Sequence, residues 1–283
     1  MKIAATVILY HPGKIVIENI LSYINSVERL YIVDNTEMPI SEITDALKKI
    51  PNTIYLHDNE NKGIAARLNQ VSGLASKDNY DWLLTMDQDS SFPNDTLINY
   101  LKCTNEFEGK EKVSMFGISF DKSLDDPNIC NSIKVNHLIT SGSLLNLKLL
   151  PAIGGFDEKL FIDEVDFEYC LRSVATGFYI IQFPNIFLVH NLGQTSFHRS
   201  FKTTKLTSRV LHSSIRLYYM TRNFLYVQSK YKETFSDEIK LRRKILFNRI
   251  KNNMLYNKER FKVINFMLKG FRDYKRDRMG KLK

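Results

Sequence analysis

The first hundred residues alternate between two hydrophobic patterns. Short apolar runs such as Ile3–Tyr10 predict buried strands, whereas apolar residues at helical spacing, as in Ile15–Val27, predict amphipathic helices. The elements alternate as β-α-β-α-β-α-β, which predicts a parallel sheet covered by helices on both faces. The later elements are expected at Leu30–Val33, Ser41–Ile50 (with Ser41 as its cap), Thr53–Leu56, Gly63–Leu74 and Trp82–Met86.

The pattern changes beyond this region. Val113–Leu147 is strand-like but irregular, and no apolar stretch approaches the length of a membrane-spanning helix. We expect an α/β domain at residues 1–200 and a helical C-terminal region at residues 201–283. The later elements are a helix at Asp163–Ala175 with Gly177 as its C-terminal cap, an extended segment at Phe178–Val189, and helices at Val210–Tyr231, Glu238–Met254 and Phe261–Phe271.

Charge is distributed unevenly between these two parts. The net charge of the 283 residues is +9, but residues 199–283 hold 24 Lys/Arg and 6 Asp/Glu, against 16 and 25 in residues 1–198. A basic region of this kind indicates an anionic partner, either a membrane surface or nucleic acid. Its helices mix aromatic and basic residues, and the acidic body lacks an RNA-binding motif. We therefore favour an anionic membrane surface and expect no specific nucleic acid partner, with a helical bundle that packs on the body and exposes a solvated basic face as the alternative.

The composition also bears on the redox environment. The apolar content of 43% is enough for a substantial core. Cys103, Cys130 and Cys170 show no spacing typical of a metal site or a disulfide. We expect all three to be reduced, as in a cytoplasmic protein.

Two carboxylates follow the fourth predicted strand. Asp87 and Asp89 are two residues apart, so in extended backbone their side chains point the same way. They repel each other unless a cation lies nearby, and open α/β sheets bind ligands at the carboxyl ends of their strands. The pair predicts a Mg²⁺ or Mn²⁺ site for a phosphate-bearing substrate, with a solvated turn as the alternative.

Polar residues end other predicted strands, and a parallel sheet brings such ends to one edge. They include Tyr10 and Asp34; a carboxylate at Asp34 suits the N–H of a uracil or thymine ring, with a turn residue as the alternative. His190 could complete a metal site or contact a pyrophosphate, or it could be structural. Asn61 precedes a helix whose N–H groups could face a phosphate, or it is an ordinary cap.

A second group of acids begins at Asp163. On a helix, Asp163 and Asp166 share a face, and Glu168 can pair with Arg172. Helix capping explains acids at the first position well. It explains Asp166 less well, because that residue lies in a partly apolar stretch. Asp166 is therefore the best candidate in this group for a general base.

In this order and at these separations, the motifs resemble glycosyltransferases of family 2, which have the nucleotide-sugar-binding GT-A fold. The resemblance extends over most of the α/β region and into the first C-terminal helix. It rests on Asp34-Asn35, Asn61-Lys62-Gly63, Asp87-Gln88-Asp89, Gly154-Gly155-Phe156-Asp157-Glu158 and Asp163-x-x-Asp166-x-Glu168. Three further segments are similar to bacterial rhamnosyltransferases, namely Phe161–Arg172, His190-Asn191-Leu192-Gly193 and Arg216–Asn223.

The resemblance implies roles at the matched positions. Asp87 and Asp89 would hold the metal and the nucleotide diphosphate, with Asp89 as the direct ligand, and Asp34 would contact the base. Asp166 would be the catalytic base; Val165 stands where many members have Glu, which leaves open whether Asp163 shares that role. The remaining residues expected in the nucleotide-sugar site are Tyr10, Asn61 and Arg67, and His190 is expected beside the metal.

The implied enzyme is an inverting hexosyltransferase. We expect it to move L-rhamnose from dTDP-L-rhamnose onto a lipid-linked oligosaccharide in bacterial surface polysaccharide synthesis, such as O-antigen or capsule. It would lie peripherally on the cytoplasmic face of the cell membrane. Two alternatives are transfer of another hexose from a UDP- or dTDP-sugar and a non-catalytic nucleotide- or nucleic-acid-binding protein.

Overall fold

The structure is a computed structural model that describes residues 1–93, 95–121, 126, 129–190 and 211–282, and the backbone of 196–199 and 206–209. The chain divides into two compact units. The first comprises Met1–Phe161 and Val165–Asn191, and the second comprises Ile162–Glu164 and Leu192–Lys283. Of the residues discussed above, Asn191, Leu192, Gly193 and Val210 lie outside the described part.

Strands and helices alternate in the first unit. Its strands are β1 Ile3–Leu9, β2 Arg29–Asp34, β3 Thr53–His57, β4 Trp82–Asp87, β5 Ser90–Ser91, β6 Val113–Ser119, β7 Ile133–Val135, β8 Ser143–Asn146, β9 Tyr179–Phe187 and β10 Val189–His190. Its helices are α1 Ile15–Leu21, α2 Ser41–Lys48, α3 Ile64–Lys77, α4 Thr96–Glu106, α5 Leu150–Ile153 and α6 Val165–Ala175.

Eight of these strands form one sheet in the order β3-β2-β1-β4-β8-β6-β9-β7. The four strands expected from the hydrophobic pattern, β1 to β4, are parallel, which confirms the prediction for this half of the sheet. The irregular later region adds antiparallel pairs through β8 and β7, so the complete sheet is mixed. In register, Asp34 is opposite Leu9 and Asp87 is opposite Ile8, so these strand ends meet at one edge.

Local patterns place the elements well but locate their ends less well. The predicted helix at Ile15–Val27 ends at Leu21, and a separate 3₁₀ turn follows at Ile24–Ser26. Ser41 is the first helical residue and not the cap, since Ile40 occupies the cap position and no side chain caps the helix. Gly177 has a φ of 89°, which confirms its expected role at the end of α6.

The core of the first unit lies on both faces of the sheet, as the apolar runs of its central strands require. Leu83 and Leu84 are successive residues of β4 on opposite faces, and both are fully buried. Phe116 of β6 stacks on Phe183 of β9 with ring centroids 5.7 Å apart. This packing holds the strand ends rigidly, which is the condition for a precisely shaped site at the sheet edge.

The second unit contains β11 Ser196–Arg199, paired antiparallel with β12 Leu206–Arg209, and three helices, α7 Ser214–Tyr231, α8 Ser236–Tyr256 and α9 Arg260–Lys275. Leu217 and Val263 form a small core between α7 and α9. The two helices approach closely at Gly270, where a Cβ would lie 2.8 Å from the carbonyl oxygen of Tyr218. None of the helices that the structure describes is long and apolar enough to cross a membrane.

The expectation of three reduced cysteines is wrong for two of them. Cys103 on α4 and Cys130 before β7 form a disulfide, with their Cα atoms 5.2 Å apart. Their separation of 27 residues carries no sequence signature, and only the fold brings them together. Cys170 is free and buried, and burial raises the pKa of its thiol to about 12.

Candidate active site

The carboxylate pair lies where β4 gives way to β5. Gln88, between the two acids, forms two hydrogen bonds with the backbone at the end of β1. Its Oε1 accepts the Tyr10 N–H at 2.8 Å, and its Nε2 donates to the Tyr10 carbonyl at 3.2 Å. The main-chain carbonyl of Gln88 accepts a hydrogen bond from Asn19 at 2.9 Å. The backbone of Tyr10 thus fixes the turn that carries Asp87 and Asp89, while the Tyr10 side chain is exposed.

A two-residue strand pair brings His190 to this turn. His190 is opposite Ser90 in the antiparallel pairing of β5 and β10. Its Nδ1 lies 2.7 Å from Ser90 Oγ and 3.5 Å from Asp89 Oδ1. Ser141 Oγ donates to Ser90 Oγ at 2.8 Å and accepts the N–H of Asp87 at 3.2 Å. The two serines therefore link the histidine to the backbone of Asp87, while the histidine itself approaches Asp89.

The side chains of Asp87, Asp89 and His190 offer ligand atoms that all lie within 4.8 Å of one another. All three are partly exposed, so an ion and a substrate can reach them. Two carboxylates and an imidazole suit a divalent cation that keeps open positions for phosphate oxygens. By this donor chemistry, the group can hold a divalent metal.

Asp34 is turned into the protein. It is 1% exposed; its Oδ1 accepts the N–H of Thr36 at 2.9 Å, and its Oδ2 accepts the hydroxyl of Tyr55 at 2.6 Å. Burial, reinforced by this bond, raises the pKa of Tyr55. His57 contacts the Thr36 carbonyl at 2.9 Å. Asp34 therefore shapes the turn after β2, and both of its oxygens already have partners within the protein.

Asn61 takes part in a second turn beside it. Asn61 Oδ1 accepts from the Asn35 side chain at 2.8 Å and from the N–H of Gly63 at 3.1 Å. The N–H of Lys62 donates to Asn35 and that of Ile64 to the Phe161 carbonyl. These N–H groups at the start of α3 are thus bonded within the protein, which favours the structural alternative over a phosphate contact for Asn61.

Arg67 lies inside α3 and not at a phosphate-facing surface. It is 1% exposed and binds Asp58 through two parallel hydrogen bonds of 2.9 and 2.5 Å, while its Nε donates to Asn35 at 2.9 Å. The guanidinium of Arg67, assisted by Lys62, holds the pKa of Asp58 well below its usual range. Arg67 therefore organises the loop before α3, and the structure does not present it as a direct phosphate ligand.

Gly63 is required where α3 begins. Its φ is 83°, and a Cβ at this position would lie 2.4 Å from the ring of Phe161. The N–H of Ile64 donates to the Phe161 carbonyl at 2.7 Å. The glycine thus allows close contact between the start of α3 and the chain that leads to the second group of acids.

Asp166 is the second residue of α6 and partly exposed, and its Oδ1 accepts the N–H of Phe167 at 2.8 Å. The predicted pair of Glu168 and Arg172 is confirmed, with a distance of 2.8 Å between Nη2 and Oε2. Glu168 is fully buried, and Arg172 also donates to the carbonyls of Ile153 and Gly155. This network anchors the face of α6 that carries Asp166.

Asp163 is not on this helix, so the expected shared helical face and the helix cap at Asp163 are both wrong. It lies before α6 with a φ of 62° and belongs to the second unit. There Arg216 donates to its Oδ1 at 3.2 Å. Among the described residues no group bonds to the buried Oδ2.

Several residues of the site carry no recognisable sequence signal. Ser141 lies in an irregular region, and Asp58 is an ordinary loop acid that gains its role from Arg67. Gln88 could have been found, because a residue between two same-facing carboxylates must point to the opposite side.

The chain is similar in sequence to one curated protein and in structure to several solved ones. No family model matches the chain. The dTDP-rhamnosyl transferase RfbF of Shigella flexneri is 28% identical over 241 residues, covering 78% of this chain and 78% of that protein. The chain is a glycosyltransferase with the GT-A fold, and it is similar to enzymes of family 2. The expected fold class and enzyme class are thereby confirmed.

Two solved structures show the same fold at low identity. TarS of S. aureus has a TM-score of 0.52 and 13% identity, covering 91% of this chain and 44% of TarS. GalNAc-T7, solved with UDP, GalNAc and Mn²⁺, has a TM-score of 0.59 and 10% identity. The match covers 98% of this chain and 56% of the GalNAc-T7 chain. The present chain therefore spans about half the length of TarS and about half the length of GalNAc-T7.

Proposed function

We propose that this glycosyltransferase moves L-rhamnose from dTDP-L-rhamnose, with inversion, onto a lipid-linked oligosaccharide of a bacterial surface polysaccharide such as O-antigen or capsule. The observation that carries the proposal is the cluster of Asp87, Asp89 and His190 at the strand ends of a GT-A sheet. The similarity to RfbF over most of both chains supports the donor. The acceptor is inferred from the basic helical region.

The proposed reaction divides the work between two sets of side chains. The acceptor hydroxyl attacks the anomeric carbon as the bond to the diphosphate oxygen breaks, and the hydroxyl proton passes to the carboxylate of Asp166. From the β-linked donor, inversion gives an α-L-rhamnoside and dTDP. Arg172 and Glu168 hold the helix that carries Asp166, so the base does not need to reorganise during the step.

Asp89, with Asp87 and His190 beside it, would hold Mg²⁺ or Mn²⁺ together with the diphosphate. When bound, the ion supplies positive charge against the charge that grows on the leaving group. Asp34 and Tyr55 give the turn after β2 a defined shape, and we assign the nucleobase to this turn. Tyr10 lies at the end of the neighbouring strand, where its exposed ring can contact the nucleotide.

A donor screen tests this function. The enzyme is incubated with dTDP-rhamnose, UDP-galactose, UDP-glucose and dTDP-glucose, each with a lipid-linked acceptor fraction, and products are read by mass spectrometry. Transfer from dTDP-rhamnose at a rate at least tenfold above the others is the expected result. Preferred transfer of another hexose would reject the donor, and absence of transfer from every donor would reject the function.

We further propose that α8 and α9 attach the enzyme peripherally to the anionic cytoplasmic face of the membrane. Residues 239–258, which include nearly all of α8, contain no Asp or Glu. Phe247 and Met254 are exposed and seven residues apart, so they share a face among lysines and arginines. Phe261 and Leu268 repeat this arrangement on α9. Exposed apolar side chains amid basic ones are typical of interfacial helices.

Vesicle flotation tests the attachment. The full chain should float with phosphatidylglycerol vesicles and not with phosphatidylcholine vesicles, because each Lys or Arg near an anionic surface contributes about 1 kcal/mol. Replacing Phe247, Met254, Phe261 and Leu268 by serine should reduce recovery severalfold. The control replaces Met38 and Ile40, which are also exposed but lie outside the basic region. Unchanged recovery of the fourfold variant would refute the proposed face.

A further inference from the structure

The chain adopts left-handed backbone torsions immediately before α6. Phe161, Asp163 and Glu164 have φ angles of 61°, 62° and 64°. Residues with a Cβ are disfavoured in this region, and such conformations persist only where surrounding contacts hold them. Phe161 belongs to the first unit, whereas Asp163 and Glu164 belong to the helical unit, where the contacts described next hold them.

The backbone of this segment is held by one buried side chain of α7. Asn223 is fully buried, and its Nδ2 donates to the carbonyl oxygens of Ile162 at 2.6 Å and Asp163 at 3.1 Å. Its Oδ1 accepts from Nε of Arg222 at 3.0 Å, which fixes the direction in which the amide faces. Arg222 in turn donates to the Gly280 carbonyl at 2.8 Å.

The two acidic side chains of the segment are held by arginines. Nη2 of Arg216 donates to Oδ1 of Asp163 at 3.2 Å. Nε of Arg242 on α8 donates to both oxygens of Glu164, at 2.9 and 3.0 Å. Glu164 is buried, so its charge needs this partner.

The spacing on α7 explains why one helix reaches the segment twice. Arg216 and Asn223 are seven residues apart, which is two helical turns, so both side chains lie on one face. Arg216 and Asn223 are the first and last residues of the Arg216–Asn223 segment, which has no role in the proposed reaction. Their contacts with Ile162 and Asp163 give both residues a structural role.

We propose that Asn223, Arg216 and Arg242 are positioning residues of the transfer reaction. They hold Asp163 and Glu164 in a strained conformation, and this segment leads directly into α6, where Asp166 is the second residue. These three side chains thereby fix the backbone of the segment from which α6 begins. The inference rests on the proposed function, because it takes Asp166 as the base that receives the acceptor proton.

The first test compares two variants of α7. Asn223→Ala should lower kcat at least tenfold while the KM for the donor stays within twofold, because presentation of the base changes and donor binding does not. Tyr218→Phe is the control: it removes buried hydrogen bonds of 2.9 Å to Asp273 on α9 and of 3.2 Å from Arg222, but it leaves both bonds from Asn223 to the segment in place. Tyr218→Phe should keep kcat within twofold of wild type even if its Tm falls as far as the Tm of Asn223→Ala.

The second test is rescue of an ion pair. Glu164→Arg and Arg242→Glu should each lower kcat at least tenfold, and the double variant should recover most of the loss because the pair is restored with reversed sign. Hydrogen exchange of residues 160–168 should be faster in Asn223→Ala than in Tyr218→Phe.

Failure of this inference and failure of the proposed function give different results. An active wild type with an equally active Asn223→Ala variant overturns the positioning role alone, as does unchanged exchange at residues 160–168. A double variant no better than its parents overturns the part played by Arg242. A wild type that transfers no sugar from any donor overturns the proposed function, and the positioning role falls with it.

Discussion

Nδ1 of His190 lies 3.5 Å from Oδ1 of Asp89, although half of the first unit separates the two residues along the chain. The antiparallel pairing of His190 with Ser90 creates this proximity. The histidine thereby joins a carboxylate pair that would otherwise be an ordinary polar turn. The metal hypothesis makes this relationship testable.

Replacing Asp89 should abolish the metal-dependent part of nucleotide binding. Asp89→Asn keeps the size of the side chain but removes the charge that a divalent cation requires. We expect dTDP affinity in Mn²⁺ to fall at least tenfold, about 1.4 kcal/mol, and affinity in EDTA to stay unchanged. Isothermal titration calorimetry measures both. Asp45→Asn, an exposed acid on α2, is the control; equal affinity of Asp89→Asn and wild type in Mn²⁺ would exclude a metal role.

Replacing Asp166 should separate binding from chemistry. Asp166→Asn cannot accept the acceptor proton, so we expect kcat to fall by about 10² to 10⁴ with dTDP affinity preserved. Radiolabelled or mass-detected transfer measures the rate. Asp163→Asn is assayed beside it: a comparable loss that Arg216→Gln does not reproduce would indicate that Asp163 shares the role of base and does more than pair with Arg216. Wild-type turnover in Asp166→Asn would reject the assignment.

The Asp58–Arg67 pair should support the fold only where Asp58 is charged. Arg67 lowers the pKa of Asp58 in the folded protein, so the stabilisation is present above about pH 4 and is lost as the pH falls towards the lower folded value. Asp58→Asn should cost about 2 kcal/mol at pH 7, less than for a fully buried pair because Asp58 is partly exposed.

Urea unfolding at pH 7 and pH 3 measures this effect. The difference between wild type and Asp58→Asn should shrink at the lower pH. Glu60→Gln, which removes an exposed neighbour of Lys62, should change stability by less than about 0.5 kcal/mol. A difference that stays constant with pH would show that the ion pair is not its source.

His212 should make the fold sensitive to acid at a higher pH than Asp58 does. Burial, together with Arg216 and Arg249, lowers the pKa of His212 to about 4. Between pH 4 and the ordinary value near 6.5, the unfolded chain binds more protons, so stability falls as the pH falls through this window.

Denaturant unfolding from pH 7 to pH 4 tests this expectation. His212→Gln should flatten the dependence by about 1–2 kcal/mol relative to wild type. His11→Asn, at an exposed histidine with a positive φ that asparagine tolerates, is the control for replacement of a histidine elsewhere in the chain. An unaltered slope in His212→Gln would reject the role of His212.

The disulfide allows a test of the proposed cytoplasmic location. Reducing conditions in that compartment keep thiols free. If the enzyme resides there, Cys103 and Cys130 will be alkylated in rapidly quenched cell extracts, although the fold joins them in protein purified without reductant. Mass spectrometry after alkylation distinguishes the two states. A fully oxidised pair in quenched cells would contradict the location.

Much of the fold follows from local sequence. The apolar runs of β1 to β4 and the helices between them predicted the parallel half of the sheet, because period-2 and period-3.6 patterns report burial directly. Asp87 and Asp89 were placed correctly at the end of a strand for the same reason. The antiparallel strand β8 has no such signal, since its position between β4 and β6 depends on long-range pairing.

Sequence by itself determined the residue types at the strand ends and their shared edge, since the direction of a parallel strand fixes where its carboxyl end lies. Only the tertiary structure decided which of these side chains are exposed and which are buried. Asp34 and Arg67 are buried and bind partners within the protein. A buried charge needs such partners, and no local sequence pattern reveals them. The tertiary structure also separated Asp163 from the helix of Asp166, because Asn223 and Arg216 hold it in a conformation that its own sequence disfavours.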